Sequence, residues 1–494
     1  MYIRTAALTT ALLFSSTTAY SAEGRKLLEQ LVALAGVEGT KITWASISEE
    51  NSDSFTLSDV EIVDDDGEKT MVKTISVKGL KDANGRLTYQ TIAFVDVSGS
   101  TEEGGNFTVA GAASSDGDWP SDIWEDGLTA DEKKQRIRFG DFSLSGIALK
   151  DEKVNLALDS IVITNADIPL DYRYEDEQNA EADGDPADPL TFDQFSVVGL
   201  NGSGKADNNQ NVDFEMSAFS ISNGNFPTAA DAPMQDWIKL YSALSITGIS
   251  TAMDAVPVFR MDNFTSTIAP QDAGGTVSAN SQLNGLFVNL AAIPDPGAQA
   301  VFKEIGYDKV EGNLAGTASY NPQTGRASVY DTSIKLAEMF DLAFDYAITG
   351  YTEDVARKFS KAQMEIAAGK DRMQVLAPML AELSGVKLET FGIELTDQSI
   401  TGRLLDFQAK QMGTTGDQLA AGAPMMIGMG MGGLNMPALT EMVTSAVGKF
   451  LTEKGTLSVR AQPENPVSLV NVVMAGQADP TTIPDMINLK ITAR

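Results

Sequence analysis

Neither cysteine nor histidine occurs anywhere in the 494 residues. Without Cys there are no disulfides, no thiolate nucleophile and no Cys-ligated zinc or iron–sulfur site. Without His there is no Ser-His-Asp or Cys-His triad, no His-ligated zinc or copper, and no imidazole general base. An enzyme built on this chain would have to run on carboxylates, Lys, Tyr or a hard cation. Basic residues are scarce as well, 36 against 68 acidic, for a formal net charge of −32. That balance excludes nucleic acid as a partner, because phosphate neutralisation needs basic surface. It also excludes simple electrostatic docking on anionic lipid. Aromatics make up only 7%, too few for the girdles of a transmembrane barrel.

What is present begins with a targeting signal. Arg4 supplies a positive start, Thr5 to Thr18 is a short run of apolar and small residues, and Ala19 and Ser21 are small residues at a cleavage position. A cleavable secretory signal peptide is expected over 1–21. No Cys is available for lipidation, and no later run reaches the ~20 apolar residues of a spanning helix. The sequence therefore predicts an exported, periplasmic protein without a transmembrane helix in the mature chain.

The dominant feature is a repeated module. Phe142-Ser-Leu-Ser-Gly-Ile-Ala-Leu149 has apolar residues at its first, third and sixth places and Gly at its fifth. The spacing recurs at Phe55-Thr-Leu-Ser-Asp-Val, Ile75-Ser-Val-Lys-Gly-Leu, Ile92-Ala-Phe-Val-Asp-Val, Phe195-Ser-Val-Val-Gly-Leu and Leu244-Ser-Ile-Thr-Gly-Ile. Alternation marks a half-buried strand. The odd step from third to sixth place would turn a side chain to the wrong face unless one extra residue, a β-bulge at the Gly/Asp position, corrects the phase. The last four copies start at 92, 142, 195 and 244, close to a 50-residue period, which signals a stacked or elongated β-architecture.

The remaining organisation follows from periodicity and turn chemistry. A short helix is expected over Glu23–Gly36, then an antiparallel meander from Thr40 to Ala112. A polar connection follows from Ser114 to Gln135, and strands run on to Ile249, interrupted by the acidic loop Glu175–Pro189 and a helix over Ala230–Ser242. Beyond that come helical turns at Pro294–Ile305, three meander strands between Val310 and Thr349, and a helical stretch over Thr352–Leu383. Strands are expected at Val386–Leu395 and Ser399–Leu404, an amphipathic helix at Met436–Lys454, and closing strands at Thr456–Ala461 and Met486–Thr492 with a Pro-containing loop between. The expected class is mainly β (α+β), with elongated antiparallel sheets of repeated bulged strands and helices in the C-terminal half. The expected divisions are 1–21, an N-terminal antiparallel β region with acidic loops over 22–225, and a C-terminal α+β region over 226–494 with a Met/Gly-rich linker at 421–437.

Four patterns touch on chemistry. Gly199-Leu-Asn-Gly-Ser-Gly-Lys205 fits a phosphate-loop spacing, but Ala206 stands where a magnesium-binding Ser/Thr is needed and no helix follows, so it reads as a hairpin loop. Asp183-Gly-Asp-Pro-Ala-Asp188 clusters oxygen ligands without the alternate spacing of a calcium loop and reads as solvated. Met425, Met426, Met429, Met431, Met436 and Met442 read as a flexible apolar linker or lid; a lipid- or partner-contact surface and a thioether copper site are the alternatives. The Asp and Glu residues are too numerous for any pair to stand out as a glycosidase-type dyad. No catalytic residue, metal ligand or cofactor is assigned.

On the repeated Phe-x-Leu-x-Gly/Asp-apolar module and the hairpin Gly306-Tyr-Asp-Lys-Val…Tyr320-Asn-Pro-Gln-Thr-Gly325, residues 50–494 resemble the DUF945 (YdgA-like) and AsmA-like envelope proteins of Gram-negative bacteria. The resemblance implies long antiparallel sheets and, for the AsmA-like group, a groove suited to lipid chains; it implies no catalytic residues. The chain departs from the AsmA-like pattern in having a cleavable signal in place of a retained anchor, which argues against a membrane-bridging role. The expected function is that of a non-enzymatic periplasmic β-scaffold binding lipid or an envelope partner along an apolar sheet face. The residues expected to line that face are Phe142, Leu144, Ile147, Phe195, Val197, Leu244 and Ile246, and ordinary core is their alternative role. An exported carboxylate-dependent hydrolase and a surface adhesion module stay open as other functions.

Overall fold

The structure is a computed structural model. It describes residues 41–494 except 52, 64–66, 84, 101–104, 121–134, 170–188, 207–209, 227–239, 294, 368, 373, 376–377, 379–381 and 435. The expected signal peptide and Glu23–Gly36 helix, nearly all of the Glu175–Pro189 loop, and most of the Ala230–Ser242 helix lie outside the described residues. Antiparallel strands dominate what is described, and its seven helices all fall after residue 295. The chain divides into two compact units, the first built on residues up to Ala255 and the second on Val256–Arg494, with short exchanges between 233 and 251.

The first unit is a meander: β1 (Lys41–Asn51), β2 (Ser54–Val63), β3 (Lys69–Lys78), β4 (Lys81–Ala83), β5 (Arg86–Ser100), β6 (Asn106–Pro120), β7 (Arg136–Lys150), β8 (Val154–Pro169), β9 (Leu190–Lys205), β10 (Asn211–Phe226) and β11 (Ala243–Met253). Each long strand from β1 to β10 pairs with the next, and β4 folds back on β5. Strand β6 runs to Pro120, so the polar connection expected from Ser114 begins only after it. Gly199–Lys205 lies inside β9 and not in a hairpin loop.

In all six modules the fifth residue has left-handed backbone: Asp59, Gly79, Asp96, Gly146, Gly199 and Gly248 have φ between 49° and 69°. The predicted extra residue is absent at Asp59, Asp96, Gly146 and Gly199, however. Ser58 faces Thr74 and Val60 faces Val72, with no shift of register across Asp59. The phase corrects itself because the facing strand takes the same odd step, from Val72 to Ile75, so both strands turn over together. The left-handed residues stand on two lines that cross the strands. One joins Asp59, Asp96, Gly146, Gly199 and Gly248 on β2, β5, β7, β9 and β11, opposite Lys73, Ala110, Asp159 and Ser217 of the strands between. The other, six positions along each strand, joins Gly79, just past the end of β3, to Asp116, Asn165 and Asn223 on β6, β8 and β10. The roughly 50-residue period is thus the length of a hairpin, since each line recurs on every second strand. Gly is required at Gly199, where φ is +69° and a Cβ would collide with the Asp159 carboxylate.

The second unit begins with β12 (Val256–Ala269) and β13 (Val277–Asn289), a hairpin that periodicity left unassigned. It continues through α1 (Pro296–Ile305), β14 (Lys309–Asn321), β15 (Arg326–Leu336), β16 (Phe340–Thr349), α2 (Glu353–Ala367), β17 (Lys387–Asp397), α3 (Ile400–Met412), α4 (Gly416–Met431), α5 (Pro437–Glu453), β18 (Thr456–Ala461), β19 (Val467–Ser468), α6 (Leu469–Ala478), α7 (Ile483–Met486) and β20 (Leu489–Ala493). Here genuine register shifts occur beside Gly285 and Asp331, where one strand does carry the extra residue. One apolar row crosses this unit: Phe264, Leu283, Leu314, Ile334, Leu342, Leu395 and Leu457 face one another in turn.

Three expectations fail in this unit. Ser399–Leu404 is not a strand but the start of α3, because the Asp397 carboxylate accepts from the Thr401 N–H at 2.8 Å and caps the helix, and Gly413 ends it in left-handed backbone. The Met/Gly segment 421–437 is no linker. Most of it is α4, opened by a capping box in which Thr415 and Gln418 satisfy each other's backbone N–H groups. Ala and Met propensity then outweighs the glycines. The final Pro-containing loop holds β19 and α6.

Candidate apolar binding face

The strand pairing converts the modules into rows. Phe55, Val77, Ile92, Ser114, Phe142, Ile163, Phe195 and Ile221 face one another in succession across β2, β3 and β5–β10. Leu57, Ile75, Phe94, Ala112, Leu144, Ile161, Val197 and Phe219 form the adjacent row on the same face. Of the seven residues picked from sequence, Phe142 and Phe195 fall in the first row, Leu144 and Val197 in the second. Leu244 and Ile246 stand before Gly248 as Phe195 and Val197 stand before Gly199. Ile147 lies across the line of left-handed residues, in a third row with Val109 and Leu158.

Sequence reasoning missed the contributors from the alternate strands: Ile161, Ile163, Phe219 and Ile221. Their modules carry Asn at the fifth place and Ala or Gly at the sixth (Ile161-Val-Ile-Thr-Asn-Ala, Phe219-Ser-Ile-Ser-Asn-Gly), so the expected apolar sixth residue is absent. The reason is an aromatic ring on the neighbouring strand. Gly224 faces Phe192, Ala166 faces Phe139 and Gly117 faces Tyr89, and at Gly117 and Gly224 a Cβ would strike the ring. A signal was available: after Gly, Asn and Asp are the residues that most often adopt left-handed backbone.

Burial divides the rows. On β2, β3 and β5 the members are sealed, with Leu57 and Ile75 fully buried, and they form one core cluster with Val60, Val72, Leu80 and Leu87. On β7–β10 every member of both rows is only half-buried. Phe195 is edge-on to Phe192 and Phe219, with ring centroids 6.3 and 5.9 Å apart, and Phe192 stacks on Phe226 at 5.8 Å. The opposite face of these strands presents Ser143, Ser145, Ser160, Thr164, Ser196, Ser220 and Ser222, with Val162 and Val198 among them. One face is therefore continuous hydrocarbon and the other is hydroxyl-rich.

The polar border of the face is tied down by arginines. Arg86 donates to the Asp118 carboxylate and to the carbonyls of Asp118 and Arg136; Arg136 repeats this one hairpin later with Asp167 and the Pro189 carbonyl. These guanidiniums hold strand ends in register.

Ionisable chemistry is sparse. Burial pushes the Tyr89 phenol up to about 12 despite its hydrogen bond with Ser114. The Asp151 carboxylate is pulled down by backbone N–H groups of Val154 and Lys153, and Asp354 by its hydrogen bonds from Lys358 and Arg357. A general acid needs the opposite displacement. Among the described residues no group of three or more carboxylates could hold a metal ion, and no helix is long and apolar enough to cross a membrane.

Comparison with known proteins adds one match. Residues 333–494 fit a family model described only as an uncharacterized protein. No curated protein matches the chain.

Proposed function

We propose that the protein is a non-enzymatic, exported scaffold of the cell envelope that binds the acyl chains of a lipid along the apolar face of β7–β11. The observation that carries this reading is the pair of apolar rows held at half-burial on β7–β10. A core residue is normally sealed, as the same rows are on β2–β5, whereas contiguous apolar surface left accessible is the mark of a binding surface. The edge-to-face rings of Phe192, Phe195 and Phe219 supply rigid contact area at that surface. The signal peptide expected from the sequence supports an exported, periplasmic setting, and the resemblance read from the sequence to AsmA-like proteins suggests the same ligand class.

The test is to purify the mature chain from its native envelope and extract it for lipid mass spectrometry. A stoichiometric phospholipid or fatty acid is expected, and a Leu144→Gln/Phe195→Gln variant should carry several-fold less of it while keeping its strand circular dichroism. A monodisperse wild-type protein free of lipid overturns the reading.

A further inference from the structure

Helix α4 is built inside out. Its small residues Ala420 and Ala423 are buried, while Met425, Met426 and Met429 are 72%, 48% and 69% exposed. An ordinary surface helix turns its large apolar residues inward and its charged residues out. The orientation here is locked, because Pro424 packs on α5 at Gly448, where a Cβ would lie 2.8 Å from the proline ring. Charge is missing too. In a chain with 21% charged residues, positions 418–440 contain no Asp, Glu, Lys or Arg. The neighbouring helix α3 extends the exposed apolar surface through Met412 and Leu404.

From this geometry we infer that the exposed methionine face of α4 docks on the hydrocarbon–headgroup boundary of a lipid bilayer. The occupant follows from charge. A protein partner of this strongly acidic chain would be expected to add basic residues, and so to find acidic counterparts at the contact. Positions 418–440 offer none over 23 consecutive residues; exposed charge lies only at the edge, on Asp417 of α4 and on Asp406 and Lys410 of α3. Uncharged, flexible thioether side chains suit fluid acyl chains, which have no fixed shape to complement. The helix is 16 residues long, too short to span, so it rests on the surface. The net charge of −32 adds a directional consequence: neutral membranes are preferred, because anionic headgroups repel the rest of the chain.

The experiment is flotation of the full mature chain with phosphatidylcholine vesicles. Wild type is expected to float, and less so when phosphatidylglycerol is added. Met425→Gln/Met426→Gln/Met429→Gln, which keeps helix propensity, should weaken partitioning by at least about tenfold with unchanged circular dichroism. Phe142→Gln/Phe195→Gln should float as wild type does, which separates this inference from the lipid-carrying role of the sheet. Absence of wild-type flotation overturns it, as does a triple variant that floats equally well. A concentration-dependent dimer that the triple variant dissolves, without vesicle binding, overturns it in favour of a second copy of the chain.

Discussion

Strands β2–β5 and β7–β10 carry the same module, the same register and the same two rows, yet the first group is sealed and the second is half open. Ile75 and Ile161 occupy equivalent places in one row, and only Ile75 is fully buried. The change falls at β6, whose row members shrink to Ser114 and Ala112. Alternation therefore decides which face is apolar, and strand pairing decides which residues align. Neither decides whether that face meets protein or something else. The same module can make a core in one place and a binding surface in another.

The sharpest way to break this comparison is to truncate equivalent residues. Ile75→Ala should lower stability by about 3 kcal/mol, because the sealed site cannot rehydrate or collapse. Ile161→Ala should lower it by a smaller amount, about 1–2 kcal/mol, since its side chain is only half-buried. Urea denaturation of both variants checks this, and equal losses would mean that the β7–β10 face is as well covered as the core.

Next in size is the backbone device both regions share. Gly199→Ala should cost about 2 kcal/mol, from left-handed strain together with collision against Asp159. Ser217→Ala, opposite Gly199 across the same line but with ordinary backbone, should cost well under about 0.5 kcal/mol. Thermal melts of Gly199→Ala and Ser217→Ala read the contrast directly.

A smaller effect separates the regions by pH. Tyr89 belongs to the sealed region, and its phenol is raised by burial from 10.0 to about 12. The unfolded state therefore loses its proton first as pH rises. The stability contribution is complete below pH 10 and is lost between about 10 and 12. At pH 11 wild type should have lost about 1 kcal/mol through this group. Tyr89→Phe should not show that loss, and melting curves taken from pH 9 to 11.5 provide the check.

Much of this architecture was legible in the sequence. The module Phe142–Leu149 and its five relatives located six left-handed residues, and alternation placed most of the meander strands, the β12–β13 hairpin and the far end of β6 excepted. What the residues could not reveal was relational. An odd apolar step is the same in sequence whether one strand bulges, as beside Asp331, or two strands turn over together, as at Asp59 and Lys73. Asn165 and Asn223 escaped notice because the residue after each had been reduced to fit a neighbour's ring. Ser399–Leu404 alternated like a strand, but the cap supplied by Asp397 settled it as a helix. Met425 and its neighbours read as a linker because their glycines argue against helix locally, while the packing that holds the segment helical comes from the next helix, α5, through Pro424 on Gly448.

The smallest predicted effect bears on what maintains the second line of left-handed residues. Asn165 has φ of 50° and donates its Nδ2 to the Asp193 carboxylate at 2.6 Å. Two explanations compete for its presence: tolerance of left-handed backbone, and the hydrogen bond across strands. Asn165→Gly keeps the first and removes the second, so it should stay within about 0.5 kcal/mol of wild type, relief of strain offsetting the added freedom of the unfolded chain. Asn165→Ala removes both and should cost closer to 1 kcal/mol. Asp193→Ala removes the bond alone and should match the Gly variant. If Asn165→Gly instead proves as damaging as Asn165→Ala, the side-chain bond maintains this line, and the glycines and asparagines of β7–β10 are not interchangeable answers to one backbone demand.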